Sequence, residues 1–138
     1  MSYNESKTVL RAELPMLRGK SIHEAYEYFS PLLGKPDYVD EWDGKVELFQ
    51  YMNSKHDYVP VEKNVSGKES DMRWGVDYIL AYANDYGDKK GKANHSLKEL
   101  RSIAEEMAKK FEINPEDCRL VSYTWYNGSE EPIEFELK

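Results

Sequence analysis

A lysine-rich segment of this acidic chain, residues 84–95, could bind an anionic ligand. It precedes a predicted helix that begins at Ser96, and the free N–H groups and the dipole at a helix N-terminus favour an anion. Nearby tyrosines could stack on a base or a sugar. The residues predicted to bind a small phosphorylated or nucleotide-like ligand are therefore Tyr82, Tyr86, Lys89, Lys90, Lys92, Asn94, His95 and Ser96. The alternative is a solvated loop whose lysines contribute only to solubility.

A second candidate is an acidic segment that carries two aromatic residues. Exposed Trp and Tyr among carboxylates suit recognition of a basic partner, because aromatic anchors dominate many interfaces and complementary charge guides association. The residues predicted to bind a protein partner in this way are Tyr38, Asp40, Glu41, Trp42 and Asp43. The alternative is that Tyr38 and Trp42 point inward and complete the core.

The sequence lacks the familiar catalytic and metal-binding motifs. His23-Glu24 is not followed by a second histidine at zinc-protease spacing, and residues 87–92 have neither the glycine spacing nor the hydroxyl of a phosphate loop. The acidic residues 40–44 lack the alternating ligands of a calcium loop. Three histidines are scattered along the chain, so we predict no metal site and no cofactor. An enzyme whose acid–base residues converge only in the folded chain is a further alternative.

Composition narrows the class of partner. The 138 residues include 26 Asp and Glu but only 19 Lys and Arg, which gives a net charge of -7. Such a chain lacks the basic face that nucleic-acid binding needs, and it offers little to attract an anionic membrane. The charge therefore favours a protein partner with a basic surface, and plain solubility is the simplest alternative.

The sequence also favours a reducing compartment. Cys118 is the only cysteine, so no internal disulfide can form, and a thiol with no histidine near it in sequence is expected to be inert. The first six residues lack the basic and apolar parts of a signal peptide, and no apolar run approaches membrane length. We therefore expect a cytoplasmic protein that no membrane anchors.

Hydrophobic periodicity predicts two main helices. Both begin with a Ser-x-x-Glu capping box, one at Ser21 and the other at Ser96. The first extends to Leu33, and Pro31 is expected to end or kink it. The second extends to Phe111, and its apolar stripe consists of Leu97, Leu100, Ala104, Met107 and Phe111.

Other segments favour strands. Residues 45–52 and 58–61 are rich in strand formers, and Pro60 assigns the second of these to a sheet edge. Residues 7–14 fit a strand or a helix equally well. Residues 72–83 fit both periods too, but their Val, Ile, Tyr and Trp content favours a strand.

The last residues predict a β-hairpin after the second helix. Residues 119–126 alternate as a strand, Asn127-Gly128 supplies a turn, and residues 132–137 return. An odd-length, bulged turn with Gly128 in a left-handed conformation would gather the apolar side chains on one face. That face would contain Val121, Tyr123, Trp125, Ile133, Phe135 and Leu137. The outer face would carry Ser122, Thr124, Tyr126, Glu134 and Glu136.

These elements predict a single α+β domain over residues 1–138. Its antiparallel or mixed sheet of four to six strands would carry the two main helices on one face. The leading functional hypothesis is a non-enzymatic binding protein, of the inhibitor or immunity type, that engages a macromolecular partner through the acidic aromatic segment.

Overall fold

The computed structural model describes residues 4–52, 55–64, 66–84, 89–91, 94–126 and 133–137. Within these ranges the chain has an α+β fold with two α-helices and two sheets, which confirms the predicted fold class. The helices are α1 (Ile22–Leu33) and α2 (Leu97–Phe111). The strands are β1 (Asn4–Glu13), β2 (Tyr38–Trp42), β3 (Lys45–Gln50), β4 (Tyr58–Lys63), β5 (Arg73–Asn84), β6 (Lys89–Gly91), β7 (Arg119–Tyr126) and β8 (Ile133–Leu137).

The larger sheet has the strand order β4-β5-β1-β7-β8, with β6 paired to β5, and β2 pairs with β3 in a sheet of their own. Strand β5 confirms the strand interpretation for residues 73–83, and β1 shows that residues 7–13 belong to a strand that ends before Leu14. Strand β4 lies at the end of this order, as expected of a strand that contains Pro60.

The chain divides into two compact units. We call residues 1–12 and 77–138 the terminal unit and residues 13–76 the middle unit. That all 138 residues form one domain stays a prediction. Each unit has buried residues of its own, so each is described separately below.

In the terminal unit, helix α2 begins at its predicted cap. The Ser96 hydroxyl accepts a hydrogen bond from the Glu99 backbone N–H at 3.1 Å. The buried face consists of Ala104, Met107, Ala108 and Phe111. Leu97, in contrast, is 80% exposed, so its predicted place in the buried stripe is wrong. Leu97 follows the same helical spacing as the buried residues, but it lies in the first turn of α2. The buried part of this face begins only at Ala104.

The register of β7 and β8 also differs from the prediction. Tyr123 lies opposite Glu134, and Val121 lies opposite Glu136. Because directly opposite residues of antiparallel strands share a face, the glutamates of β8 lie on the face of Val121 and Tyr123. The predicted common apolar face is therefore wrong. The predicted turn at Asn127-Gly128 lies outside the described residues.

The hairpin alone does not determine this register. Strand β7 has a second neighbour, β1, which places Val9 opposite Val121 and Lys7 opposite Tyr123. Val9 and Val121 are both buried, so β1 supplies apolar contacts on this face. Hairpin alternation alone therefore did not determine which residues of β8 share that face.

In the middle unit, α1 begins with the predicted capping box. Ser21 Oγ accepts from the Glu24 backbone N–H, and the Glu24 carboxylate accepts from the Ser21 backbone N–H, both at 3.2 Å. The helix continues two residues beyond Pro31, so Pro31 does not end it. A proline in the last turn removes a single hydrogen bond, and Gly34, with φ of 85°, ends the helix instead.

Candidate interaction surface

Strands β2 and β3 form a hairpin that carries the acidic aromatic segment. Asp43 and Gly44 join the strands, with φ angles of 53° and 78°. A two-residue turn with positive φ at both positions matches the twist of the strands, and Asp-Gly is a preferred sequence for it. The Asp43-Gly44 dipeptide is the signal in the sequence that indicates this hairpin, which the predicted elements did not include.

A β-bulge shapes the hairpin. Asp40 lies opposite Leu48 but Glu41 lies opposite Val46, so Glu47 is an extra residue on β3. Beyond the bulge, Trp42 lies opposite Lys45. Tyr38, Asp40 and Trp42 share one face because they alternate along β2, and the bulge decides which residues of β3 join them, so that Lys45 lies on this face and Val46 on the opposite one. We call this the outer face; it consists of Tyr38, Asp40, Trp42, Lys45, Leu48 and Gln50.

The outer face exposes large apolar side chains. Trp42 is 72% exposed, Tyr38 is 50% exposed and Leu48 is 40% exposed. The register places Leu48 beside Asp40, between the two aromatic residues along the strand. Single exposed hydrophobic residues are ordinary, but several on one face of a regular hairpin form a patch suited to an interface. The alternative in which Tyr38 and Trp42 complete the core does not agree with these exposures.

Charge around this patch is mostly negative. The hairpin, residues 38–50, carries four carboxylates and one lysine, all in exposed residues. Of the predicted partner-binding residues, Tyr38, Asp40 and Trp42 share the outer face. Glu41 lies opposite the buried Val46, and Asp43 lies in the turn. All five are exposed, but only three lie on a common face.

The opposite face of the hairpin packs against aromatic residues of the middle unit. The ring of Phe49 lies 5.8 Å from that of Tyr26 and 6.4 Å from that of Phe29, between centroids. Phe49 also lies nearly parallel to the buried Trp74, at 12° and 6.0 Å. Trp74 is fixed in turn, because its indole N–H donates to the Lys20 carbonyl at 3.0 Å. These contacts hold the hairpin in place before any partner binds.

Polar anchors fix the open end of the hairpin. Asp37 Oδ2 accepts from the Met52 backbone N–H at 2.8 Å and lies 2.9 Å from His56 Nε2. The hydrogen bond from Met52, and then His56, hold the pKa of Asp37 below its usual value. Tyr51 donates its hydroxyl to the Gly34 carbonyl, and burial raises the pKa of Tyr51 to about 12. Asp37 is therefore a charged anchor, whereas Tyr51 is a neutral one.

The residues predicted to bind a phosphorylated ligand are partly described. Ser96 caps α2, and His95 Nδ1 lies 3.4 Å from the Glu99 carboxylate. The Tyr82 hydroxyl donates to Glu5 at 3.0 Å. Asn94 is exposed, while Lys89 and Lys90 lie in β6. Tyr86 and Lys92 lie outside the described residues. This ligand site stays a prediction.

The terminal unit contains a buried charge cluster that no sequence motif indicated. Asp77 is fully buried and accepts from Arg11 twice, from Nε at 2.7 Å and from Nη2 at 3.0 Å. Lys7 is also buried, and its ammonium lies 4.9 Å from the centre of the Tyr123 ring. Burial lowers the pKa of Lys7 to about 8, against the attraction of Asp77. Arg11 uses both oxygens of Asp77, an arrangement that stabilises a buried carboxylate.

The described residues include no group of three His, Cys, Asp or Glu side chains that could hold a metal ion. Cys118 is half-buried, and burial raises the pKa of its thiol, which keeps it in the unreactive protonated form. Neither described helix is long and apolar enough to cross a membrane. Comparisons with family models, curated proteins and solved structures found no match.

Proposed function

We propose that the protein is a non-enzymatic binding protein that engages a basic surface of a protein partner through the outer face of the β2–β3 hairpin. The observation that supports this proposal is the 72% exposure of Trp42 on a hairpin rich in carboxylates. An inhibitor or immunity-type protein that covers the functional surface of a basic protein would work in this way.

The chemistry of the outer face suggests what it would recognise. A partner arginine can stack on the Trp42 ring and also pair with a carboxylate such as Asp40, so one side chain would use both properties of this face. Leu48 and Tyr38 would contact an apolar area beside that arginine. The complementary surface is therefore an arginine-rich patch with an apolar centre, rather than a uniformly charged one.

The test begins with capture of partners on the immobilised protein. Each captured protein is then purified and its Kd is measured against the wild-type chain and Trp42→Ala. We expect the Kd to rise about 30-fold in Trp42→Ala, the loss typical of an aromatic hot spot. Because Trp42 is exposed, the variant should unfold at the same urea concentration as the wild type.

Leu97→Ala is the matched control, because Leu97 is an equally exposed apolar residue on α2. Its Kd should equal that of the wild type. Equal weakening by both substitutions, or none by Trp42→Ala, would contradict the proposal. Thermal unfolding with a panel of nucleotides tests the phosphorylated-ligand alternative: a stabilisation that disappears in Lys89→Ala/Lys92→Ala would favour that alternative instead.

A further inference from the structure

His23 connects helix α1 to the turn end of the hairpin. Its Nδ1 lies 2.9 Å from the backbone nitrogen of Val46, and its Nε2 lies 3.0 Å from a carboxylate oxygen of Glu27. A backbone N–H can only donate, so Nδ1 must accept through its lone pair. The hydrogen of the neutral ring must then reside on Nε2, where it can be donated to Glu27. The geometry therefore requires one tautomer of neutral His23.

Protonation of the ring would destroy this contact. An imidazolium carries an N–H at both nitrogens, so two donors would face each other between His23 and Val46. Val46 is only 4% exposed, so little water can reach it to replace the lost acceptor. A buried amide without a partner is costly, so protonation of His23 favours movement of the strand away from α1, where water can solvate the amide.

The open end of the hairpin responds in the opposite direction. His56 Nε2 faces the Asp37 carboxylate at 2.9 Å, and the lowered pKa of Asp37 keeps that carboxylate ionised in mild acid. Protonation of His56 therefore adds an ion pair rather than removing an acceptor. Histidine side chains in general change charge between about pH 5 and pH 8.

We propose that His23 is a pH-sensitive latch, which holds the turn end of the hairpin on α1 when neutral and releases it when protonated, while His56 and Asp37 retain the open end. If the outer face binds a partner as proposed above, this latch regulates that site. Trp42 and Lys45 lie next to the turn, so release would displace them and weaken partner binding in mild acid.

Several charged residues lie on the two elements that the latch joins. On α1, Glu27 contacts the ring, and Glu24 is paired with Lys20 one turn earlier. On the hairpin, the charged neighbours of Val46 are Lys45, Glu47 and, from the opposite strand, Glu41. The pH at which half of the molecules have released the turn end is therefore determined by experiment.

The latch is tested by NMR on the full ¹⁵N-labelled chain between pH 7.5 and pH 5. The ring nitrogen shifts of His23 should show the Nε2–H tautomer at pH 7.5. As the ring titrates, the Val46 amide proton should move upfield with the same midpoint. Its hydrogen-exchange protection factor should fall about tenfold, the equivalent of one net hydrogen bond.

Two variants serve as controls. In His23→Asn the side-chain oxygen can accept from Val46 at every pH, so the Val46 signal should no longer titrate. His56→Gln leaves His23 in place and should titrate like the wild type. A Val46 amide that stays constant while the His23 ring titrates would overturn the proposal, even if His23→Asn failed to fold. Simultaneous change of all amides, those of α2 included, would indicate acid unfolding and would also overturn it.

The NMR measurement needs no partner, so it is independent of the proposed function. A constant Val46 signal would contradict the latch and would leave the proposal of partner binding through Trp42 unaffected. Conversely, a partner Kd that is the same for Trp42→Ala and the wild type would contradict the proposed function, while a titrating Val46 amide would still support the latch.

Discussion

At the scale of single residues, the terminal unit places two cations and one carboxylate where most proteins place apolar side chains. Arg11 satisfies Asp77 with two hydrogen bonds, whereas the ammonium of Lys7 lies over the ring of Tyr123. A buried ammonium without a close carboxylate is costly, and burial is the largest cause of the lowered pKa of Lys7. Lys7 therefore opposes folding while it is charged.

This cost has a defined pH dependence. The pKa of Lys7 is about 8 in the folded chain and higher when unfolded, so between these values the unfolded state binds more protons. The free energy of unfolding should therefore rise with pH above about pH 8. We expect Lys7→Met, which removes the titrating group, to be more stable than the wild type near neutral pH. Its advantage should shrink by about 1 to 2 kcal/mol between pH 7.5 and pH 9.5.

Urea unfolding of both proteins at each pH measures this difference. Lys45→Met is the matched control, because Lys45 is exposed and its removal should leave the pH dependence of stability unchanged. If the free energies of unfolding of Lys7→Met and the wild type differed by the same amount at every pH from 7.5 to 9.5, burial of the Lys7 ammonium would be contradicted.

The charge cluster also shows why the burial of single residues could not be predicted from the sequence. Charged residues usually lie at the surface, and the mixture of Lys, Val, Leu, Arg and Glu in residues 7–14 therefore fitted a strand and a helix equally. Asp77 lies within a segment of apolar and aromatic residues, where a fully buried carboxylate was not expected. Only the pairing of Arg11 with Asp77 across the sheet explains both residues, and sequence spacing does not reveal such pairing.

At the scale of elements, prediction succeeded where the signal is local. Both helices begin at their predicted serine caps, because capping depends on residues three positions apart. Prediction failed where neighbouring strands decide the outcome, as in the register of β7 and β8. The candidate site was predicted in part: composition indicated Trp42 and its acidic neighbours as partner-binding residues. The bulge at Glu47, which places Lys45 rather than Val46 opposite Trp42, was not predicted.

The turn of the β2–β3 hairpin can be tested as an element. Gly44 has φ of 78° and nothing lies within 4 Å of the position where a Cβ would stand. Gly44→Ala should therefore destabilise the chain through backbone conformation alone, by about 1 to 2 kcal/mol. Asp43→Asn is the control, since asparagine tolerates the φ of 53° at that position. Urea unfolding that fails to separate the two variants would argue against this turn geometry.

At the scale of the whole molecule, the net charge of -7 and the exposed Trp42 should act on different steps of binding. Long-range attraction accelerates the encounter with a basic partner and is screened by salt, whereas a desolvated aromatic anchor slows dissociation. Salt should therefore change the association rate constant of a purified partner, and loss of Trp42 should change its dissociation rate constant. Raising the salt from 50 mM to 500 mM should lower the association rate constant at least tenfold and leave the dissociation rate constant nearly unchanged.

Trp42→Ala should show the opposite pattern, with faster dissociation and an unchanged association rate constant. Asp43→Asn separates the two effects on the same hairpin, because it removes one exposed charge in the turn, off the outer face, and leaves the indole in place. It should slow association by a small factor at 50 mM salt and have no effect at 500 mM. If Trp42→Ala slowed association instead, or if salt acted only on dissociation, the outer face would not bind its partner by charge attraction followed by aromatic anchoring.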